Sequence, residues 1–425
     1  MDKSVIKNYP RYESYKDSGV EWLGEIPEEW ELGKISSFFT ERRTKVSDKD
    51  YPALSVTKLG VFPQWDNVAK SNDGDNRKLV KKGDFVINSR SDRKGSSGTA
   101  KTDGSVSLIN IVLKPKGIEP RFSEYLFKSN GFIEEFYRVG HGIVADLWTT
   151  RFDNIKNSLI SLPSYDEQTK VANFLDQKTK KIDQAISLKQ QQISKLEEYK
   201  QIVIQNAVTK GLNSDVPMKD SGVDWLGMIP EHWGMKKGKW LFLKMDRPVR
   251  EDDRIVTCFR DGEVTLRSNR RTEGFTNALK EHGYQGVRKG DLVIHQMDAF
   301  AGAIGISDSD GKSTPVYSVC TPKDCNEVSV KYYVYLLRGL AYNGFILSLA
   351  KGIRERSTDF RFKDFSSLEL PLPPYKTQLA ISEFIEEKIA QINLVIENNA
   401  QQIDRLKEYK TVLINKAVTG KIKVA

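Results

Sequence analysis

The segment KDSGVEWLGEIPEEWEL, Lys16 to Leu32, returns as KDSGVDWLGMIPEHWGM, Lys219 to Met235, with 12 of 17 positions identical. A second pair, LPSYDEQTKVANFL (Leu162 to Leu175) and LPPYKTQLAISEFI (Leu372 to Ile385), is offset by 210 residues and runs on into ISKLEEYKQIVIQNAVT and IDRLKEYKTVLINKAVT. Between these anchors the copies diverge, although Gly83-Asp84-Phe85-Val86-Ile87 answers to Gly290-Asp291-Leu292-Val293-Ile294 and Arg151-Phe152 to Arg361-Phe362. Units of about 205 residues are far longer than the 20 to 50 residues of a solenoid repeat. The chain therefore reads as a duplicated domain pair: anchor, variable block, long helix, then the same again. Duplication of this kind suggests a two-fold task.

The long helices are legible from their periodicity. No Pro or Gly interrupts Asp166 to Val208, and Ile182, Leu196 and Val203 fall on one heptad position while Ile186, Ile193 and Ala207 fall on the other. In the second copy Ile392, Leu406 and Leu413 pair with Ile396, Ile403 and Ala417 in the same phase. This is a coiled-coil seam, interrupted at equivalent points by Lys189 and Asn399 and by Lys200 and Lys410. Ser164-x-x-Glu167 offers a capping box, and Gly211 and Gly420 stand where each helix should stop. An amphipathic helix of roughly 65 Å needs a partner, and its own copy is the obvious one. Antiparallel pairing returns the C-terminus to the first block, which predicts a nearly circular molecule with pseudo-two-fold symmetry.

The variable blocks, Glu31 to Ser161 and Gly234 to Leu370, mix short β-patterned runs (Tyr51 to Thr57, Asp84 to Asn88, Val106 to Leu113; Val256 to Phe259, Asp291 to His295) with one helix each, the pattern of small α/β domains. Lys and Arg outnumber Asp and Glu by 22 to 16 in the first block and by 23 to 18 in the second. The whole chain carries 66 against 57, a net +9 that favours a polyanionic partner. After the Gly-Asp strand of block one come Asn88, Arg90, Arg93 and Lys94; after its counterpart come His295 and Gln296. Arg, Asn and Gln can contact base edges in bidentate fashion, and Lys or Arg in Gly/Ser-rich loops can hold phosphates. Lys58, Arg77 and Lys78 in block one and Arg267, Arg270, Arg271, Arg354 and Arg356 in block two complete the candidates. Singly, each reads as a solvated surface charge; together they read as a DNA face. The matched Arg151 and Arg361 read as structural, and the Trp22/Trp30 and Trp225/Trp233 pairs as docking aromatics.

With 39% hydrophobic and 29% charged residues the chain can bury a core, which excludes disordered and fibrous classes. Cys258, Cys320 and Cys325 form no Cys-x-x-Cys pair and suit a reducing compartment. Residues 1–16 contain no apolar stretch of signal-peptide length, and Val330 to Ala350 is interrupted by Lys331, Arg338 and Asn343, so a buried helix is expected there and a cytoplasmic location overall. Catalytic motifs fail on inspection. Leu372-Pro373-Pro374-Tyr375 echoes the motif of adenine methyltransferases, but leucine cannot hydrogen-bond a target amino group. Gly311-Lys312-Ser313-Thr314 lacks the first P-loop glycine, where Ile306 stands. Four scattered histidines give no zinc ligand set. The sequence argues for binding, with chemistry supplied elsewhere.

The order WLGxIPxxW, variable block with Gly-Asp-φ-Val-Ile, LPxYxxQ and a helix ending Ala-Val-Thr, twice over, resembles the specificity subunit of type I restriction-modification systems along nearly the whole chain. The resemblance implies an α+β fold: two small α/β target recognition domains joined by two long antiparallel coiled-coil helices. It divides the chain into an anchor with the first target recognition domain (1–161), a spacer helix (162–212), a second anchor and recognition domain (213–371) and a second spacer helix (372–425). It further implies double-stranded DNA, two methyltransferase subunits and restriction subunits as partners. No cofactor is expected on this chain; S-adenosylmethionine, ATP and magnesium are expected in the partners. The alternative from a different class is a duplicated coiled-coil scaffold whose blocks bind protein.

Overall fold

The computed structural model describes residues 9–64, 74–142, 148–270, 282–349 and 359–424. The chain divides into two compact units, Met1–Gln190 with Ala400–Ala425 and Gln191–Asn399, so that each takes one half of both long helices. Those helices are Tyr165–Lys210 and Tyr375–Val418. The first begins as its sequence suggests, the Glu167 N–H donating to the Ser164 hydroxyl at 3.4 Å. The reciprocal bond of a capping box is replaced: the Glu167 carboxylate accepts from the Tyr12 hydroxyl of the anchor at 2.5 Å.

Within each unit the helix halves pack along their apolar stripes. In the first unit Ile182, Ile403, Leu413 and Ala417 are buried and Ile186 and Leu406 half-buried; in the second Ala207 and Ile392 are buried and Ile193, Leu196, Val203 and Ile396 half-buried. The polar interruptions are spoken for. In the first unit the Lys410 ammonium meets both Asp183 carboxylate oxygens at 2.7 Å, and in the second Lys200 meets Asn393 Oδ1 at 3.3 Å. The residue numbers of both pairs sum to 593, the register of an antiparallel pair. The 210-residue offset carries Lys200 onto Lys410 and Asp183 onto Asn393, so the duplicated sequence makes the same contact twice.

Both blocks fold alike. The first has a four-stranded antiparallel sheet in the order Ser97–Thr99, Phe85–Asn88, Asn110–Pro115, Phe39–Glu41; the second has Ile304–Ile306, Leu292–His295, Tyr317–Pro322, Phe242–Lys244. The apolar run of each Gly-Asp strand sits in the middle of its sheet and is buried, as a continuous apolar stretch should be. A helix covers one face, Val330–Tyr342 in the second block, with Tyr332, Tyr333, Leu336 and Leu337 buried. In place of the single helix expected in the first block stand Pro120–Phe127 and Asn130–Arg138, because Ser129 ends one by donating to the Leu126 carbonyl and caps the next by accepting from the Phe132 N–H. The single-turn helices Ile35–Phe38 and Phe152–Ile155 are added to them. The run Val106 to Leu113, read as one strand, is also two: Gly104–Ser107 pairs into a separate three-stranded sheet, and a turn at Leu108 and Ile109 leads to Asn110–Pro115.

The repeated motifs are the fastenings of this scaffold. The glutamine of LPxYxxQ is buried in each copy: Gln168 accepts from the Glu119 N–H and donates to the Pro163 carbonyl, and Gln378 accepts from the Ser329 N–H and donates to the Glu327 and Pro373 carbonyls. Trp30 and Trp233 are buried against the glycines that end the long helices. Gly420, at φ +71°, leaves no room for a Cβ, which would stand 2.3 Å from Pro27 and 3.3 Å from the Trp30 ring; a Cβ on Gly211, at φ +77°, would stand 3.2 Å from the Trp233 ring. The first anchor thus docks on the end of the second helix, and the Lys423 N–H donates to the Pro10 carbonyl at 2.7 Å. The C-terminal turn meets the N-terminal anchor, as the antiparallel reading requires.

Candidate nucleic-acid interface

The Gly-Asp motif prepares the site without entering it. Asp84 is buried, takes two hydrogen bonds from Arg42 at 2.7 and 3.1 Å and one from the Lys81 N–H, while Asp291 does the same with Arg247 and the Arg288 N–H. Each ion pair pins the start of a central strand, and the loop at the strand's far end carries the polar residues. In the first unit this loop holds Asn88, whose side-chain oxygen accepts from the Arg90 N–H at 3.1 Å, and a short 3-10 turn, Ser91–Arg93. The loop pairs with residues 148–150: the Thr150 N–H donates to Ser89 and the Ser91 N–H to Trp148. Arg151, next in sequence, is therefore carried to the same place as Arg90.

Together they wall a cleft of about 550 Å³. Its charged lining is Arg43, Lys45, Lys78, Arg90 and Arg151 against Glu41 and Asp153, five cations to two carboxylates and a net +3. Arg43 bridges Glu41 and Asp153, which raises its affinity for a proton further, and the Asn154 side chain accepts from the Arg151 N–H to start a short helix. Arg90 and Arg151 are exposed. Arg151 was expected to be structural from its match with Arg361; its backbone is, but its side chain lines the cleft. Arg43 and Lys45 belong to a basic run, Arg42-Arg43-Thr44-Lys45, that sequence reading passed over.

The other candidates of the first block are scattered. Arg77 is buried, its guanidinium donating to the Ser105 hydroxyl at 2.9 Å and the Ser105 carbonyl at 3.1 Å, and burial lowers its pKa. Lys78 reaches the cleft wall but is held by Glu41 at 3.1 Å and the Asn110 carbonyl at 2.8 Å. Lys94 pairs with Glu134 at 2.7 Å, Arg93 is exposed beside Asp92, and Lys58 sits exposed at the tip of the Leu54–Thr57/Gly60–Pro63 hairpin.

In the second unit His295 and Arg267 converge on Tyr317. The His295 ring lies 4.6 Å from the Tyr317 ring, and burial pushes the Tyr317 pKa up to about 12 against the opposing charge of Arg267. His295 Nδ1 accepts from the Asp298 N–H at 3.0 Å, and burial lowers the imidazole pKa, which favours the neutral ring. Gln296 donates to the Ser318 hydroxyl at 3.3 Å. Arg270 is turned to Asp261 and Glu263, at 2.7 and 2.9 Å. Arg271, Arg354 and Arg356 lie outside the described residues.

Two solved structures share this arrangement along nearly their full length. The HsdS subunit from Thermoanaerobacter tengcongensis matches with a TM-score of 0.56 and 16% identity, over 93% of this chain and 98% of its own. A chain from a type I R-M system, solved for its complex assembly and conformational transition, matches at 0.65 and 15%, over 92% and 98%. The chain has the specificity-subunit fold. A curated relative, assigned as the specificity subunit of the type I restriction enzyme MjaX of Methanocaldococcus jannaschii, is 22% identical over 454 aligned residues, 99% of each chain. No family model matches. In this fold the repeated motifs fasten the chain through buried residues: Asp84 and Asp291, Gln168 and Gln378, Trp30 and Trp233. The loops they position differ between the two copies.

Proposed function

We propose that this chain is the sequence-reading subunit of a type I restriction-modification complex, without catalytic activity of its own. Its two blocks, within 1–161 and 213–371, each read one half of a bipartite site in double-stranded DNA. The helices of 162–212 and 372–425 space them and dock two methyltransferase subunits, to which restriction subunits are added. S-adenosylmethionine, ATP and magnesium belong to those partners. The observation that carries this reading is the full-length structural match, which embraces both copies of the duplicated unit. The basic cleft of the first unit and the loop around His295 in the second occupy the same topological place, beyond the central strand. Cells expressing the chain with its methyltransferase subunits should show adenine methylation at one interrupted sequence, mapped by methylation-aware sequencing. Methylation without a shared motif, or an assembly indifferent to DNA, would return the protein-scaffold reading.

A further inference from the structure

One turn in the first unit breaks the rules its neighbours obey. Leu108 and Ile109 are 37% and 42% exposed, side by side, between two strands whose other apolar residues are buried. The strands it joins lie in different sheets, and such connecting turns ordinarily take Gly, Pro, Asn, Asp or Ser, while an apolar run is ordinarily kept inside. The turn is nonetheless firmly built. Asn110 Nδ2 donates to the Ser107 carbonyl at 3.1 Å, and Lys78, itself held by Glu41 at 3.1 Å, donates to the Asn110 carbonyl at 2.8 Å. Neither turn residue takes a positive φ, so the backbone is unstrained. A local choice that defies propensity while its surroundings hold it in place marks a functional element.

Its setting says what it serves. Both side chains line the basic cleft with Arg43, Lys45, Arg90 and Arg151. Exposed cations such as Arg90 and Arg151 can hold phosphates, and the apolar pair beside them suits an apolar feature of the same polyanion. In the major groove of DNA that feature is the thymine C5-methyl group, which no other base carries. A wedge inserted between base pairs must project from the surface, whereas these residues are half-covered and form part of a concave wall. We infer that Leu108 and Ile109 read thymine methyl groups in the half-site recognised by the first domain, with Lys78 as the positioning residue of the turn. This inference rests on the proposed function and adds a base identity to it.

The test uses the full chain assembled with its methyltransferase subunits. A bipartite site is first selected from a random duplex library, and each thymine is then replaced by deoxyuridine, which lacks only the methyl group. At one or two thymines of a single half-site the parent should bind about fourfold to tenfold more weakly to the uracil duplex. Leu108→Ser or Ile109→Ser should abolish that discrimination while leaving the other half-site selected, which also shows that the variant is folded. Equal binding of thymine and uracil at every position, or variants that still discriminate, would overturn the inference with the proposed function intact. So would a loss in the variants that is uniform across sequences and accompanied by reduced DNA bending, the mark of a wedge. Failure of the parent to select any bipartite site would instead overturn the proposed function, and this inference with it.

Discussion

Arg90 and Arg151 show how unlike roles can converge on one place. Arg90 stands at the end of a locked strand with its backbone fixed by Asn88, a geometry suited to aiming a guanidinium at a base edge. Arg151 opens a helix on the facing segment, and its match in the other copy argues for a task independent of sequence, such as holding phosphate. Arg90→Ala should therefore weaken binding by about 1 to 3 kcal/mol and relax the preference at one position. Arg151→Ala should weaken all sequences alike and make the salt dependence shallower by about one unit of slope. Competition binding on matched and mismatched duplexes over a salt series separates the two, and unaltered binding by both variants would remove the cleft from the interface. Composition and loop position sufficed to place Arg90 among the candidates, and it lies on the cleft wall. They could not exclude Arg77, because an arginine with a buried serine hydroxyl and carbonyl for partners looks in sequence like any surface cation. Lys78 was similarly legible as a cation and illegible as a brace for a turn.

At the scale of elements, the duplicated motifs are connections rather than chemistry. Gln378 joins the start of a long helix to the start of Val330–Tyr342 through three hydrogen bonds, two buried and one partly so. Removing a buried side chain that satisfies several backbone groups costs more than the bonds themselves, because the abandoned groups stay dry. Gln378→Ala should lower unfolding stability by about 3 kcal/mol, and Gln378→Glu should not restore it, since a carboxylate cannot donate to the two carbonyls. Urea unfolding of the second unit's signal would register this; a loss below about 0.5 kcal/mol would show that water replaces the side chain. The helices and the central strands were readable because their apolar periodicity is dictated by burial. The break at Leu108 and Ile109 was not, because periodicity reports what burial wants and this turn is held open by contacts from Lys78 and Asn110. The split helix at Ser129 was missed for a related reason: one serine serves both as a stop and as a start.

For the molecule as a whole, the proposed function gives reading and fastening to different residues, so the first should be exchangeable without the second. Replacing Glu31 to Ser161 by the corresponding block of a chain with the same duplicated fold should, on the proposed function, change one half-site of the methylated sequence and leave the other unaltered. Methylome sequencing that found both halves changed would contradict this division. The two units differ in one respect that their matched folds conceal. Residues 191–399 are continuous, whereas the first unit is closed by Leu413, Ala417, Val418 and Ile422, which complete a core begun around Ile35 and Phe39. On the ribosome, where domains generally fold in order of emergence, the sequence of events is thereby reversed. The unit of residues 191–399 can fold as soon as its own residues have emerged, while the first waits, its apolar surface unsealed, until Leu413 to Ile422 have emerged as well. Nascent chains arrested before residue 400 should accordingly recruit chaperones to the first block, and protease protection of that block should appear only once Leu413 to Ile422 have emerged.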